Sequence, residues 1–395
     1  MVDASPHKLT VMSAILLFTT MRWPFTAQLA GAFAGAGAKV EALCPPRAML
    51  ALSRHPVRRH RYHPAAAMDS LCHAITTARP DMIVPCDDQA AELVNRAYGT
   101  PTIGRMEFLD AAAKCGAPAA PSTAVESEDR LEDAMRQLGL PVVIKSDHSW
   151  GGDGVVIAWT REEARTAFRR MNNNSRLRDL ARFSRGRGGH FLIRALNPVP
   201  VRLSAQAFVE GAPATSSIAC WQGQVVAAHH FDVILSSTPT SPASVIATTS
   251  CPQMAASAKA VAGALNLSGL IGLDYIRDAS GQVHLLEMNA RATPTMHLAL
   301  DQDLPAALLT AAGLSARARP AVTDAREIAL FPREWLRDSA SPWLAKAFHD
   351  VPWDDPDVVR ACVRAAPHSA RAAALAVLEN AKTPALTGKS AVVGA

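Results

Sequence analysis

Residues 269–291 read GLIGLDYIRDASGQVHLLEMNAR. An apolar strand carries Asp274, the turn DASG reverses the chain, and a second strand carries Glu287, Asn289 and Arg291 on alternate positions. Side chains two apart on an extended segment point the same way. A carboxylate, an amide and a guanidinium on one face are poor packing material, and the hairpin can bring Asp274 to the same spot. Two carboxylates and an amide oxygen are the hard ligands Mg²⁺ prefers when it also binds nucleotide phosphates. An arginine beside them can brace a phosphoryl group in transfer. A salt bridge from Arg291 to one carboxylate explains one pair but not the whole constellation.

Upstream, residues 140–164 read LPVVIKSDHSWGGDGVVIAWTREEA. A β-rich run ends at Lys145, a loop with Gly151, Gly152 and Gly154 follows, and a second apolar run returns. Glycines let a backbone approach an anion closely, and a lysine at a strand end offers a point charge to phosphate. A β-hairpin with a flexible turn and a surface lysine fits this stretch equally well.

Residues 11–97 alternate apolar runs with helical patterns: VMSAILLF, TAQLAGAFAGAG, KVEALCP, MDSLCHAITTA, DMIVPCDD and QAAELVNRA. That βαβα rhythm predicts a parallel sheet with helices on both faces. VMSAILLF could pass as the core of a signal peptide, but the helix, turn and strand that follow favour a buried strand. The glycines of GAFAGAG sit within a helix rather than opening one, so they form no dinucleotide fingerprint. TGKS at 387–390 lacks the earlier glycine and the preceding strand of a P-loop. Asp87 and Asp88 end a strand where open α/β sheets bind ligands, and either could instead cap the next helix.

The 395 residues suffice for two or three domains, and 49% hydrophobic with 19% charged residues is ordinary for a globular chain. A net charge of +5 is too small to imply a nucleic-acid or membrane partner. Two arginine-rich stretches, 54–64 and 176–190, read as solvated loops, the second made mobile by its glycines. Seven scattered cysteines without a C-x-x-C pair fit a reducing, cytoplasmic setting.

These motifs together resemble the ATP-grasp superfamily: an α/β domain, a lysine strand with a Gly-rich loop, and a distal E-x-N-x-R strand, here EMNAR. The resemblance implies a mixed α/β and α+β architecture. It comprises a pre-ATP-grasp parallel-sheet domain (1–104), an ATP-grasp domain (105–315) and a helical C-terminal extension (316–395). It implies ATP and Mg²⁺, with Asp274, Glu287 and Asn289 as metal positions and Arg291 as the catalytic arginine. Lys145 would contact the phosphates and take part in catalysis, and Gly151, Gly152 and Gly154 would close over them. SAQAFVEG resembles the hinge strand on which adenine docks, through Gln206, Ala207, Phe208 and Val209.

Three departures stand out. Arg105 occupies a usual lysine position, Ala207 replaces a common hinge acid, and Thr295 stands where biotin carboxylases carry an acid. No biotin-attachment sequence is present. His297 either touches an acceptor substrate or sits hydrogen-bonded in a domain seam. The implied activity is an ADP-forming ligase that joins a small carboxylic acid to an amine through an acyl phosphate, with a homodimer as the candidate assembly. The alternatives are bicarbonate activation of the carbamoyl-phosphate-synthase type and a nucleotide-binding regulator without turnover.

Overall fold

The structure, a computed structural model, describes residues 12–147, 154–173, 175–184, 190–196 and 201–365. Its first body is a parallel sheet of β1 (Ala14–Phe18), β2 (Lys39–Cys44), β3 (Arg58–Arg61) and β4 (Met82–Pro85), in the order β3-β2-β1-β4. Alternation along β1 explains why both faces are covered. Ile15 and Leu17 pack against Leu29 and Phe33 of the helix Phe25–Gly35. Leu16 and Phe18 face Leu71 and Leu93, from the helices Ala67–Ala78 and Asp88–Tyr98. A strand covered on both sides must be apolar at successive positions.

β3 departs from the expected loop over 54–64. His60 turns inward and its Nε2 lies 2.8 Å from Glu41 Oε2, while Arg58, Arg59 and Arg61 are exposed. Charged side chains on an edge strand deter pairing with another chain. This strand escapes hydropathy reading because its single inward residue is a histidine satisfied by a buried glutamate.

A second, antiparallel sheet contains β5 (Ser122–Val125), β6 (Val142–Ser146), β7 (Val155–Ala158) and β8 (Leu203–Ala207), in the order β5-β8-β6-β7. The helices Glu128–Leu138 and Arg161–Asn173 cover one face through Leu131, Met135 and Phe168, which pack on Val142 and Ile144. Ser127 starts the first of these helices by accepting the Arg130 N–H on its hydroxyl. Within 176–190, expected as a mobile loop, residues Ser175–Ser184 form a helix, and the three glycines lie outside the described residues.

The largest sheet collects β9 (Ala212–Trp221), β10 (Gln224–Ser236), β11 (Ala243–Thr248), β12 (Gly269–Arg277), β13 (Val283–Asn289), β14 (Glu327–Ala329) and β15 (Phe348–His349). Their order is β13-β12-β9-β10-β11-β14-β15. The helices Arg105–Lys114 and Pro252–Ala264 cover one face, where Phe108, Met254 and Val261 meet Ile271 and Tyr275. Across the other face, the core begun at Ile15, Leu29 and Phe33 continues into Leu270, Met296 and Leu308, so the first body and this sheet share one apolar interior.

The C-terminal segment carries helices, including Pro356–Ala365, and also extends the large sheet. β14 pairs antiparallel with β11, and β15 pairs parallel with β14. Two strands this short leave almost no periodic signal in a sequence. Among the described residues no helix is long and apolar enough to cross a membrane.

Candidate active site

A cavity of about 580 Å³ lies between the second sheet and the β12–β13 side of the large sheet, with Met21, Trp23 and Phe25 of the first body at one wall. The hairpin does what its sequence suggested. Asp274 is paired in register with Glu287, Gly272 is paired with Asn289, and a bulge follows Asp274. Gly272 is required there, because a Cβ on it would stand 2.6 Å from Thr293 Cγ2.

The polar groups form two bonded sets, brought together where Asp274 pairs with Glu287 in the strand register. Arg291 donates from Nε to Asp88 Oδ1 (3.0 Å) and from Nη2 to Asn289 Oδ1 (2.9 Å). Asn289 Nδ2 in turn donates to Asp274 Oδ2 (2.9 Å). On the far side Glu287 Oε2 accepts from Arg105 Nη1 (2.9 Å) and lies 3.9 Å from Lys145 Nζ. The guanidinium of Arg291 also sits 5.4 Å from the Trp23 ring centre, a cation–π contact.

Burial sets the electrostatics. Desolvation, with the Glu287 charge opposite, pushes Asp274 up to about 6, against hydrogen bonds from Thr215 and Asn289. Burial also acts to raise Glu287, but Arg105, Lys145 and Arg291 outweigh it and hold the carboxyl below its ordinary value. Lys145 is only 5% exposed, and burial draws its ammonium down to about 8 although Glu287 opposes the shift. Two carboxylates side by side in a sheltered site repel each other, and a divalent cation relieves that repulsion.

The donor set fits such a cation. Among the described residues no three acidic, histidine or cysteine side chains gather as a complete metal cage. Two carboxylates and an amide leave the remaining coordination to phosphate oxygens and water, the usual manner of Mg²⁺.

The other expected residues fall into place unevenly. Gln206, Ala207, Phe208 and Val209 line the cavity. The Gln206 amide is committed to the protein, donating to Ser122 Oγ (3.0 Å) and to the Leu286 carbonyl (3.2 Å). The Phe208 ring lies 5.5 Å from that of Trp159. Phe208, Val143, Val155 and Ile157 all line the cavity, an apolar set of the kind that receives an aromatic ligand ring. Gly154 closes the β6–β7 hairpin by accepting the Ser146 N–H at 2.8 Å. Gly151 and Gly152 lie outside the described residues. Asp87 and Asp88 divide their roles: Asp87 caps its helix through Ala90 N and holds Thr19 and Thr20, whereas Asp88 reaches Arg291. His297 sits in the seam, its Nε2 3.2 Å from Gln28 Nε2 and 3.1 Å from Asp350 Oδ2.

Sequence reasoning missed Trp23 and Arg333, both of which line the cavity. Trp23 carried a usable signal, because it closely follows the carboxyl end of β1, where open α/β sheets place ligands. Arg333 carried none.

This order of sheets, with its cavity walled by a lysine strand and an acid-bearing hairpin, can be set beside known proteins. Residues 104–187 match the family described as carbamoyl-phosphate synthase L chain, ATP binding domain. The structure superimposes on N5-carboxyaminoimidazole synthetase from Staphylococcus aureus with a TM-score of 0.55 at 12% identity, covering 79% of this chain and 80% of that one. The chain has the ATP-grasp fold. An L-amino acid ligase from Bacillus licheniformis superimposes with a TM-score of 0.53 at 16% identity, covering 78% of this chain and 76% of the ligase. In sequence, 74 residues are 35% identical to the carbamoyl phosphate synthase large chain of Hyperthermus butylicus; the match covers 17% of this chain and 7% of that relative. This chain thus corresponds to a small part of that relative's length.

Proposed function

We propose that this ATP-grasp chain is an ADP-forming ligase that joins a carboxylic acid to an amine. The observation that carries the reading is the convergence of Asp274, Glu287, Asn289, Lys145 and Arg291 at one cavity, with Arg105 bonded to Glu287 and apolar side chains lining the same space. The adenine of ATP fits between Phe208 and the aliphatic side chains of β6 and β7. Lys145 and Arg105 then face its phosphates. Arg105 is held by Glu287 (2.9 Å) and Asp147 (3.4 Å) and Lys145 lies 3.9 Å from Glu287, so both cations are already positioned when a polyphosphate arrives.

Asp274, Glu287 and Asn289 would hold Mg²⁺, which supplies charge neutralisation to the terminal phosphates. The acid substrate's carboxylate oxygen attacks the γ-phosphorus, the bond to the β,γ-bridging oxygen breaks, and ADP leaves. An amine then attacks the acyl phosphate at its carbonyl carbon, and inorganic phosphate departs with the transferred oxygen. Arg291 contributes by stabilising charge on the moving phosphoryl group, and its grip on Asp88 and Asn289 holds it in position before reaction. Trp23 backs the guanidinium and keeps water from that face.

A screen crossing carboxylic acids with amines, read by phosphate release and mass spectrometry of products, tests this. Label from an ¹⁸O-carboxylate should appear in the released phosphate. Product formed with AMP and pyrophosphate, or phosphate without label, sinks the acyl-phosphate route. Bicarbonate belongs in the same screen, because the match over residues 104–187 favours it as a second acid.

A further inference from the structure

Of the cations lining the cavity, Arg22 is exposed to solvent, while Arg291 has Asp88 and Lys145 has Glu287 within reach. Arg333 differs. It lines the cavity from the segment after β14, it is half-buried, and its Nη1 donates to the Ala243 carbonyl at 3.1 Å. Among the described residues it forms no ion pair. Asp350, an acid that acts on it electrostatically, has partners elsewhere: it accepts the Phe331 N–H and a Gln28 N–H (3.3 Å), and pairs with His297 (3.1 Å). Burial draws the Arg333 guanidinium down to about 10, with Asp350 opposing and Arg291 adding to the shift.

A sheltered guanidinium without a counter-ion is costly in the unliganded protein. Ser236, the register partner of Ala243, and Thr240 and Ser241 line the cavity on this side, and an apolar group lies beside them. Ala243 and Ile246 lie on β11, Val233 is Ile246's register partner on β10, and Leu330 N donates to the Ser244 carbonyl at 2.8 Å. Val233, Ile246 and Leu330 all line the cavity. A fixed cation in the same cavity as a group of apolar side chains is matched by a ligand with an anionic head and a hydrocarbon body.

We propose that Arg333 receives the carboxylate of the acid substrate, and that this acid carries an apolar body laid against Val233, Ile246 and Leu330. The proposal rests on the ligase reading above and names the acid's chemical class. Bidentate contact with a guanidinium orients a carboxylate better than a lysine can.

The test uses the full chain loaded with Mg²⁺ and a non-hydrolysable ATP analogue, titrated calorimetrically with hexanoate and phenylacetate, each against its primary amide. Wild type should bind at least one carboxylate about tenfold more tightly than its amide, the size of a charge-assisted hydrogen bond. Arg333→Gln should erase that preference, Arg333→Lys should keep part of it, and both should bind the nucleotide analogue within about twofold of wild type. Thermal melting establishes that both variants are folded, and the lysine variant keeps the test decisive if the glutamine variant is not. A preference that survives Arg333→Gln, or a wild type that binds nucleotide but shows no preference for carboxylate, overturns the assignment while leaving the ligase reading intact. A tenfold loss of nucleotide affinity would assign Arg333 to phosphate instead and also overturn it. A wild type that binds no nucleotide removes the ligase reading, and this proposal with it.

Discussion

Arg291→Ala is the most informative single substitution, because the structure separates its local bonding from its work on phosphate. In the unliganded protein the change removes donations to Asp88, Asn289 and the Ala292 carbonyl, together with the Trp23 contact. Asp88 is 36% exposed and rehydrates, so that pair is worth ~0.5–1 kcal/mol. The Asn289 oxygen loses a charge-assisted partner worth ~1.5–3 kcal/mol. Stability should therefore fall by ~2–4 kcal/mol, a shift in urea midpoint that leaves a chain of this size folded. Turnover should fall further in proportion, by on the order of 10²-fold or more in kcat, because contacts to the transferring group strengthen in the transition state. Asp88→Asn is the control. It keeps the guanidinium beside Asn289 and Trp23, and should lower kcat by less than about tenfold. The assay is steady-state phosphate release with the acid–amine pair found by the screen, alongside calorimetric affinity for an ATP analogue. An Arg291→Ala enzyme within about threefold of wild-type kcat would refute the reasoning. So would an Asp88→Asn enzyme as damaged as Arg291→Ala, since the bridge to the first body would then be the arginine's whole purpose.

Glu287→Gln should abolish Mg²⁺-dependent ADP production while circular dichroism stays that of the wild type, since it removes a metal-facing charge without opening a cavity; wild-type ADP production at saturating Mg²⁺ would disprove the metal assignment. Lys145→Ala should weaken nucleotide binding by roughly 10- to 150-fold, the range for a lost charge-assisted contact, and unchanged affinity by calorimetry would remove this lysine from the phosphates. Gly272→Ala forces its new methyl into Thr293 and against Asn289 across the register. It should lower kcat at least as severely as stability, and a variant with full activity would show that the β12–β13 face tolerates displacement.

The hairpin's placement was readable because period-two alternation and residue type point the same way: Glu287, Asn289 and Arg291 all line the cavity, and Asp274 pairs with Glu287 in register. The first sheet was readable for the same reason, since runs such as AILLF match strands buried on both faces. β3 was not, because RRHR has the composition of a solvated loop and only the buried Glu41 gives His60 a place. Arg333 was invisible for a different reason. The role proposed for it depends on the β10 and β11 residues that line the cavity and on its forming no ion pair among the described residues, neither of which is encoded near residue 333. Trp23 likewise acquires its role only when a guanidinium more than 260 residues later in the chain arrives above it.

The late arrival of β14 bears on how the polypeptide leaves the ribosome. Until residues 327–329 emerge, β11 waits as an open flank whose central residues, Val245 to Ala247, are apolar and lack their final neighbour. Synthesis proceeds at about 5–20 residues per second, so this flank stands unprotected for several seconds after β11 itself has appeared. A message truncated after the helix Leu304–Ala311 but before β14 would release a product with most of its core formed and a sticky border for strand addition. Such a fragment is a natural client for a chaperone, and the same stretch is where a protease acting on unfinished chains would gain its advantage.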